Sequence, residues 1–175
     1  MSKELEIRVA QLGDSTDIYQ LYQRVADDPQ GIIRAKSEIT TEYVHDFISN
    51  SMNTGLILVL TLNHQIIGEI HAYRYGIEAL DHNLGDLTIV IHPRYQGKGY
   101  GKKLFEAFLN RIEQLFPDIL RVELITREQN LKTRAFYSSL GFKEEGRMSN
   151  RIRNAEGHME TPLQMAWMNP DYRGN

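Results

Sequence analysis

At 175 residues, 41% hydrophobic and 25% charged, the chain matches the size and composition of one globular domain with a single core and carries neither collagen-like nor disorder-prone bias. A net charge of -3 gives no global basic field for phosphate backbones, so nucleic acid is not expected as the primary ligand. Cysteine is absent, which excludes disulfides, thiolate zinc sites and a cysteine nucleophile and fits a reducing compartment.

Leu5 to Leu12 alternates apolar and polar positions as a half-buried strand does, and Gly13-Asp14-Ser15 offers a turn and a helix cap. Ile18, Leu21, Tyr22 and Val25 recur at helical spacing until Asp27-Asp28-Pro29-Gln30-Gly31 breaks the pattern. A loop to about Glu38 follows. Thr40 or Thr41 caps a second helix with the stripe Tyr43, Val44, Phe47 and Ile48, ending near Asn53-Thr54-Gly55. Leu56 to Leu62 and Ile66 to Tyr75 are expected as strands two and three, joined through Asn63-His64-Gln65 as a hairpin.

Asn83-Leu84-Gly85 reads as a turn, and Leu87 to Ile91 as a buried strand four bounded by Pro93. From Gly101, residues Leu104, Phe105, Phe108, Leu109, Ile112, Leu115 and Phe116 repeat at three- and four-residue steps, predicting a helix stopped by Pro117. Arg121 to Thr126 is a fifth strand, Asn130 to Leu140 a helix ended by Gly141, and Phe142 opens another strand. Asn154-Ala155-Glu156-Gly157 is a turn, after which Met159 to Met168 returns antiparallel with Pro162 at an edge or bulge. No stretch approaches the roughly 18 apolar residues of a membrane span and Met1 to Leu5 has no apolar signal core, so a cytoplasmic, membrane-free protein is expected.

The run Arg94-Tyr95-Gln96-Gly97-Lys98-Gly99-Tyr100-Gly101 sits between an apolar strand and an amphipathic helix, where backbone N–H groups can converge on an anion. Gly97, Gly99 and Gly101 form the expected cradle and let phosphate oxygens approach the backbone, while Lys98, Lys102 and Lys103 add charge at the rim. The dinucleotide pattern GxGxxG fails because Lys102 stands where its last glycine is required, and GxxxxGK[ST] has no match. A pyrophosphate fits this chemistry better than a base or sugar.

With Gln96, Gly99 and Gly101 in the order Q/RxxGxG/A, and with Asn130, Thr133, Tyr137 and the pair Gly141-Phe142 downstream, the chain resembles the GNAT superfamily of N-acetyltransferases. Thr133 replaces the alanine usual in that family. The resemblance runs from Leu5 to about Met168 and implies a single α/β (α+β) domain. Its mixed, mostly antiparallel sheet would have about seven strands flanked by about four helices, splayed between strands four and five. It implies acetyl-CoA as cosubstrate, its pantetheine arm pairing with Ile89, Val90 and Ile91 and its pyrophosphate on Gln96, Gly97, Lys98, Gly99, Tyr100, Gly101 and Lys102. A backbone N–H near Val90 or Ile91 would then stabilise the oxyanion formed by direct amine attack. Tyr137 would hydrogen-bond or protonate the departing thiolate, and Asn130, on the same helical face, would contact the pantetheine or support the site.

A lysine-like amine is mostly protonated at neutral pH, so a base is required. Glu69 and Asp86 are the candidates, each also readable as a solvated charge or as a cation-binding carboxylate. His92 reads as a structural hydrogen-bonder, and His45, His64, His71, His82 and His158 form no metal-binding spacing, so no catalytic metal is expected. Tyr73, Tyr75 and Trp167 read as core or cleft wall. The segment from Asp27 to Glu38 is the expected substrate loop. There Asp27 and Asp28 favour a cationic amine, whereas Arg34 and Lys36 oppose that reading. The amine could belong to a small molecule or a protein. A non-catalytic acyl-CoA-binding module is the competing function, and family analogy implies a homodimer through the final strands.

Overall fold

A computed structural model describes residues 4–28 and 31–174; Pro29 and Gln30, within the expected helix break, lie outside them. Seven strands form one sheet in the order β1-β2-β3-β4-β5-β9-β6, and β7 with β8 makes a separate two-stranded ribbon. In chain order the elements are β1 (Leu5–Val9), α1 (Ser15–Val25), α2 (Thr41–Thr54), β2 (Gly55–Leu62), β3 (Gln65–Tyr73), β4 (Asn83–Ile91) and α3 (Tyr100–Leu115), followed by β5 (Arg121–Thr126), α4 (Leu131–Ser139), β6 (Lys143–Arg147), β7 (Ile152–Arg153), β8 (Met159–Glu160) and β9 (Leu163–Met168). The sheet is mostly antiparallel, with a parallel pair at β4 and β5. No helix among the described residues is long and apolar enough to cross a membrane.

The described residues of Met1–Tyr73 and Thr88–Arg111 form one compact unit, and those of Arg74–Leu87 and Ile112–Asn175 a second. In the first, β2 and β3 are buried along almost their whole length, as expected of strands covered on both faces. Ile18, Leu21, Tyr22 and Val25 of α1 and Val44, Phe47 and Ile48 of α2 supply one cover, packing into a core with Ile57, Val59 and Val90. Each large apolar side chain so buried contributes about 1.5–3 kcal/mol. Thr40 starts α2 by accepting a hydrogen bond from Tyr43 N at 3.1 Å, the N-cap anticipated at this position. On the opposite face, a Cβ on Gly68 would stand 2.6 Å from Ile91 Cδ1 and 3.3 Å from Leu104 of α3. A larger residue there would displace the ends of the Ile91 and Leu104 side chains.

In the second unit, Leu84, Val122, Leu124, Phe142, Leu163, Met165 and Trp167 are buried. Here β4 pairs with β5 at Asn83↔Arg121 and Leu84↔Val122.

Several boundaries differ from expectation. The first strand ends at Val9, and Leu12–Asp14 turns as a 3-10 helix that leads into α1. Asn83-Leu84-Gly85 is strand and not turn. Gly85 lets the Tyr75 ring lie over the strand, since a Cβ would stand 2.2 Å from its Cζ and displace it, and the chain's irregularity falls one residue later, at Asp86 with φ 52°. Leu115, expected on the apolar stripe, is 65% exposed. The stripe steps four residues from Ile112 to Phe116, whose N donates to Ile112 O at 3.0 Å. Met159 to Met168 is interrupted at Thr161-Pro162, dividing β8 from β9. Pro162 has no N–H for a ladder, although its carbonyl accepts from Met148 N at 2.9 Å.

Candidate functional site

The glycine-rich loop is built from both of its ends. After β4, His92 Nδ1 accepts from Arg94 N at 3.2 Å and caps a 3-10 turn over Pro93–Tyr95. Burial, then the charges of Arg24 and Arg94, lower the His92 pKa, which favours the neutral ring that this acceptor role needs. Gln96 Nε2 donates to Ile91 O at 2.9 Å and ties the loop back to the strand. Gly97 and Gly99 then take φ values of 72° and 80°, a left-handed conformation costly for other residues.

Lys103 N donates to Gly99 O at 3.1 Å, so the N–H groups of Tyr100, Gly101 and Lys102 lie ahead of this bond, in the first turn of α3. A Cβ at Gly97 or Gly99 would meet nothing within 4 Å, whereas one at Gly101 would touch Ile91 Cγ1 at 3.6 Å. Open space over two glycines at a helix N-terminus suits a diphosphate, and the helix dipole favours its charge. Lys98 Nζ donates to Arg94 O at 2.9 Å and lies 5.4 Å from the Tyr95 ring centroid. Lys102 Nζ stands 3.7 Å from Glu106 on the exposed helix surface. Lys98 is thus tied to the start of the loop, whereas the Lys102 ammonium is turned along α3 and not toward the glycines. Ile89 and Ile91 are half-buried, and Val90 is buried.

Glu69 lies in the middle of β3 and is fully buried, unlike a solvated strand-end charge. Strand alternation puts Glu69 and His71 on one face, toward α1 and α2. Tyr22 OH donates to Glu69 Oε2 at 2.6 Å, and His71 Nδ1 lies 3.0 Å from Glu69 Oε1. Phe47 stacks on the His71 ring at 4.2 Å, with planes 8° apart, and Tyr73 lies parallel to it at 6.2 Å. All of Tyr22, Glu69 and His71 are 0% exposed. In the sequence Tyr22 reads only as part of an apolar stripe, and His71 only as a candidate metal ligand. The available signal was the pair Glu69 and His71, two residues apart within an apolar strand.

In the segment expected to meet substrate, Asp27 pairs with Lys36, and the Arg34 guanidinium sits 4.2 Å over the Tyr43 ring. The loop's opposite charges are thus partly matched within it.

In the second unit, Asn130 Oδ1 accepts from Thr133 N at 3.1 Å, so the side chain caps α4. Thr133 enters this cap through its backbone. Tyr137 is half-buried beside Phe136 and Phe142, and burial raises its pKa to about 12. It is therefore a neutral O–H donor near pH 7. Asp86 is exposed at the irregular point of β4. Tyr75, expected as core or wall, is 45% exposed; it donates to Glu123 Oε2 at 2.6 Å. Its pKa is raised by burial, then by that bond and the charges of Glu123 and Asp86. Trp167 is buried, and Gly141, at φ 94°, packs where a Cβ would meet its Cδ1 at 3.4 Å. Among the described residues, no group of three or more His, Asp or Glu is arranged to hold a metal ion.

A family model described as an acetyltransferase (GNAT) domain matches residues 53–144, more than half of the chain. The chain belongs to the GNAT acetyltransferase family. The match extends from the end of α2 to β6 and contains the glycine loop, Asn130 and Tyr137. A GNAT acetyltransferase from Streptococcus pneumoniae superposes with TM-score 0.83 at 22% identity, over 94% of this chain and 99% of that one. The yncA protein of Salmonella typhimurium, solved with its cofactor acetyl-CoA, gives 0.85 at 18% identity over 98% of both. A ribosomal-protein-alanine N-acetyltransferase from Brucella melitensis gives 0.81 at 18% identity, over 93% of this chain and 99% of that one. These likenesses establish a shared GNAT fold. Family membership makes the chain an acyltransferase of the acetyl-transfer class.

Proposed function

We propose that this GNAT protein transfers acetyl from acetyl-CoA directly to a primary amine. The observation that carries the reading is the loop from Gln96 to Gly101, where Gly97 and Gly99 adopt left-handed φ with open space above them immediately before α3. Acetyl-CoA brings an activated thioester. The pyrophosphate rests on the backbone N–H groups around Gly99 to Lys102, with Lys98 at the rim. Pantetheine runs along Ile89, Val90 and Ile91, and because Gln96 already occupies a lone pair of Ile91 O, the earlier backbone groups of that stretch carry more of the pairing. A strand N–H near Val90 or Ile91 offers a fixed dipole to the thioester oxygen as it gains charge.

Tyr137 supplies a neutral hydroxyl to the departing sulfur. Its raised pKa makes it a weaker acid than free tyrosine, so hydrogen bonding, rather than complete proton transfer, is its main contribution. Asn130 acts by fixing the first turn of the helix that carries Tyr137. The acceptor is a small-molecule or protein amine.

An amine panel incubated with acetyl-CoA, with products identified by mass spectrometry, tests the reading. An acetylated amine formed in step with CoA thiol supports it. Tight acetyl-CoA binding with no acetylated product from small amines, peptides or protein N-termini would instead favour an acyl-CoA-binding module.

A further inference from the structure

The buried cluster of Tyr22, Glu69 and His71 has more polar chemistry than packing requires. Glu69 Oε1 and His71 Nδ1 face each other at 3.0 Å. Two lone pairs would repel at that distance, so a proton lies between them. The single Tyr22 hydroxyl proton is directed to Oε2 at 2.6 Å, while Tyr22 OH and His71 Nδ1 are 3.4 Å apart. Nδ1–H donating to the Glu69 carboxylate satisfies both contacts. The imidazole is thereby oriented, with its basic lone pair on Nε2. That atom is buried and, among the described residues, has no hydrogen-bond partner in the protein. An orphaned buried nitrogen is costly and invites a polar guest, with ordered water the common one.

We propose that His71, held by Glu69 and Tyr22, is the general base of the acetyl transfer, taking the acceptor amine's proton on Nε2 through one bound water. The inference rests on the acetyl-transfer reading above. Nε2 receives one proton from the ammonium form, and the neutral amine's lone pair forms the new C–N bond. The C–S bond breaks, the departing thiolate takes a second amine proton, and His71 returns its own proton to solvent. Glu69 is then a positioning residue and need not itself reach the amine.

The surroundings suit this role. Tyr22 faces the ring from α1; Phe47 covers it from α2, with Tyr43 behind; Glu69 and Tyr73 flank it on β3. Ile57 stands opposite it on β2, and Thr88 to Ile91 of β4 contains no titratable residue. Glu69 is thus the one carboxylate in direct contact with the ring among these groups, and it stabilises the imidazolium that forms.

Two measurements on the 175-residue chain decide the matter. Nitrogen-15 spectra of histidine-labelled protein, with the His71 signals assigned through His71→Gln, are expected to show Nδ1 protonated and Nε2 bare in the neutral ring. An Nε2–H tautomer would overturn the inference and needs no turnover to be seen. With a competent amine, His71→Gln is expected to lower kcat/KM about 100-fold and to flatten its acidic limb, as loss of a general base does, with acetyl-CoA affinity unchanged.

Glu69→Gln keeps the shape of the cluster and remains informative if His71→Gln fails to fold. Removing the carboxylate disfavours imidazolium, so the acidic limb should move to lower pH. A limb unmoved in either variant would contradict the assignment. Wild-type protein that acetylates no amine overturns the acetyl-transfer reading and this inference with it. Turnover combined with an Nε2–H tautomer overturns this inference alone.

Discussion

Gly99→Ala separates the loop's conformational role from its binding role. At φ 80° an alanine incurs roughly 1–2 kcal/mol of left-handed strain, offset by about 0.4–1 kcal/mol of lost unfolded-state entropy. A Cβ there meets nothing within 4 Å, so no packing clash adds to this balance. The net loss is about 0–1.6 kcal/mol, a Tm decrease of at most about 6 °C for a chain of this size. The methyl nevertheless occupies the open space assigned to the pyrophosphate, and acetyl-CoA should bind at least about tenfold more weakly, roughly 1.4 kcal/mol. Gly101→Ala is the matched control, because its Cβ makes an ordinary contact with Ile91 at 3.6 Å and a helical alanine is favoured over glycine by up to about 1 kcal/mol. Its Tm should hold or rise, and its acetyl-CoA affinity should stay within about threefold, roughly 0.7 kcal/mol. Calorimetric titration and thermal unfolding of both variants provide the comparison. Wild-type affinity in Gly99→Ala, or equal losses in the two variants, would refute the cradle.

Tyr22→Phe retains the ring's contact with Phe47 at 5.1 Å but removes the 2.6 Å donor to Glu69; urea unfolding should show a loss of about 1.5–3 kcal/mol, the range for a bond to a charged group. A loss below about 0.5 kcal/mol, the ordinary surface level, would show that the cluster is not held as described. Tyr137→Phe should lower kcat while acetyl-CoA affinity is preserved, and unchanged kcat would remove Tyr137 from the chemistry. Because burial raises the Tyr137 pKa from 10.0 to about 12, the folded state keeps a proton that the unfolded state loses. That contribution to stability is complete below about pH 10 and declines toward pH 12, so Tyr137→Phe should unfold with a shallower alkaline pH dependence. At the acid end, Asp14 has its pKa lowered by the Arg8 hydrogen bond, opposed by burial and aided by Gln11 N and the Arg8 charge. This stabilisation is present above the ordinary aspartate value and lost as pH falls through the lower folded one, so Asp14→Asn should flatten the acid limb of stability.

The helix faces and the phosphate loop were legible because period and spacing are local properties. Ile18, Leu21, Tyr22 and Val25 are buried together, and the loop between an apolar strand and α3 required only glycines in the right order. What escaped depended on partners distant in sequence. Asn83-Leu84-Gly85 resembles a turn until Tyr75 is seen to lie over Gly85. Glu69 looks like an isolated acid until Tyr22, 47 residues away, donates to it. Asn130 reads toward the cofactor in the sequence, whereas in the structure its side chain accepts from Thr133 N. The spacing that identified the motif also identifies a helix cap, and pattern alone does not distinguish them.

Direct transfer is tested most sharply by incubating the protein with isotope-labelled acetyl-CoA, first alone and then with an amine panel, while following label and free thiol together. The account predicts label on the amine in step with thiol release and no label retained by the protein in the absence of amine. Label trapped on the protein as an amine-reactive intermediate would contradict direct transfer, and no label on any amine would contradict the proposed activity.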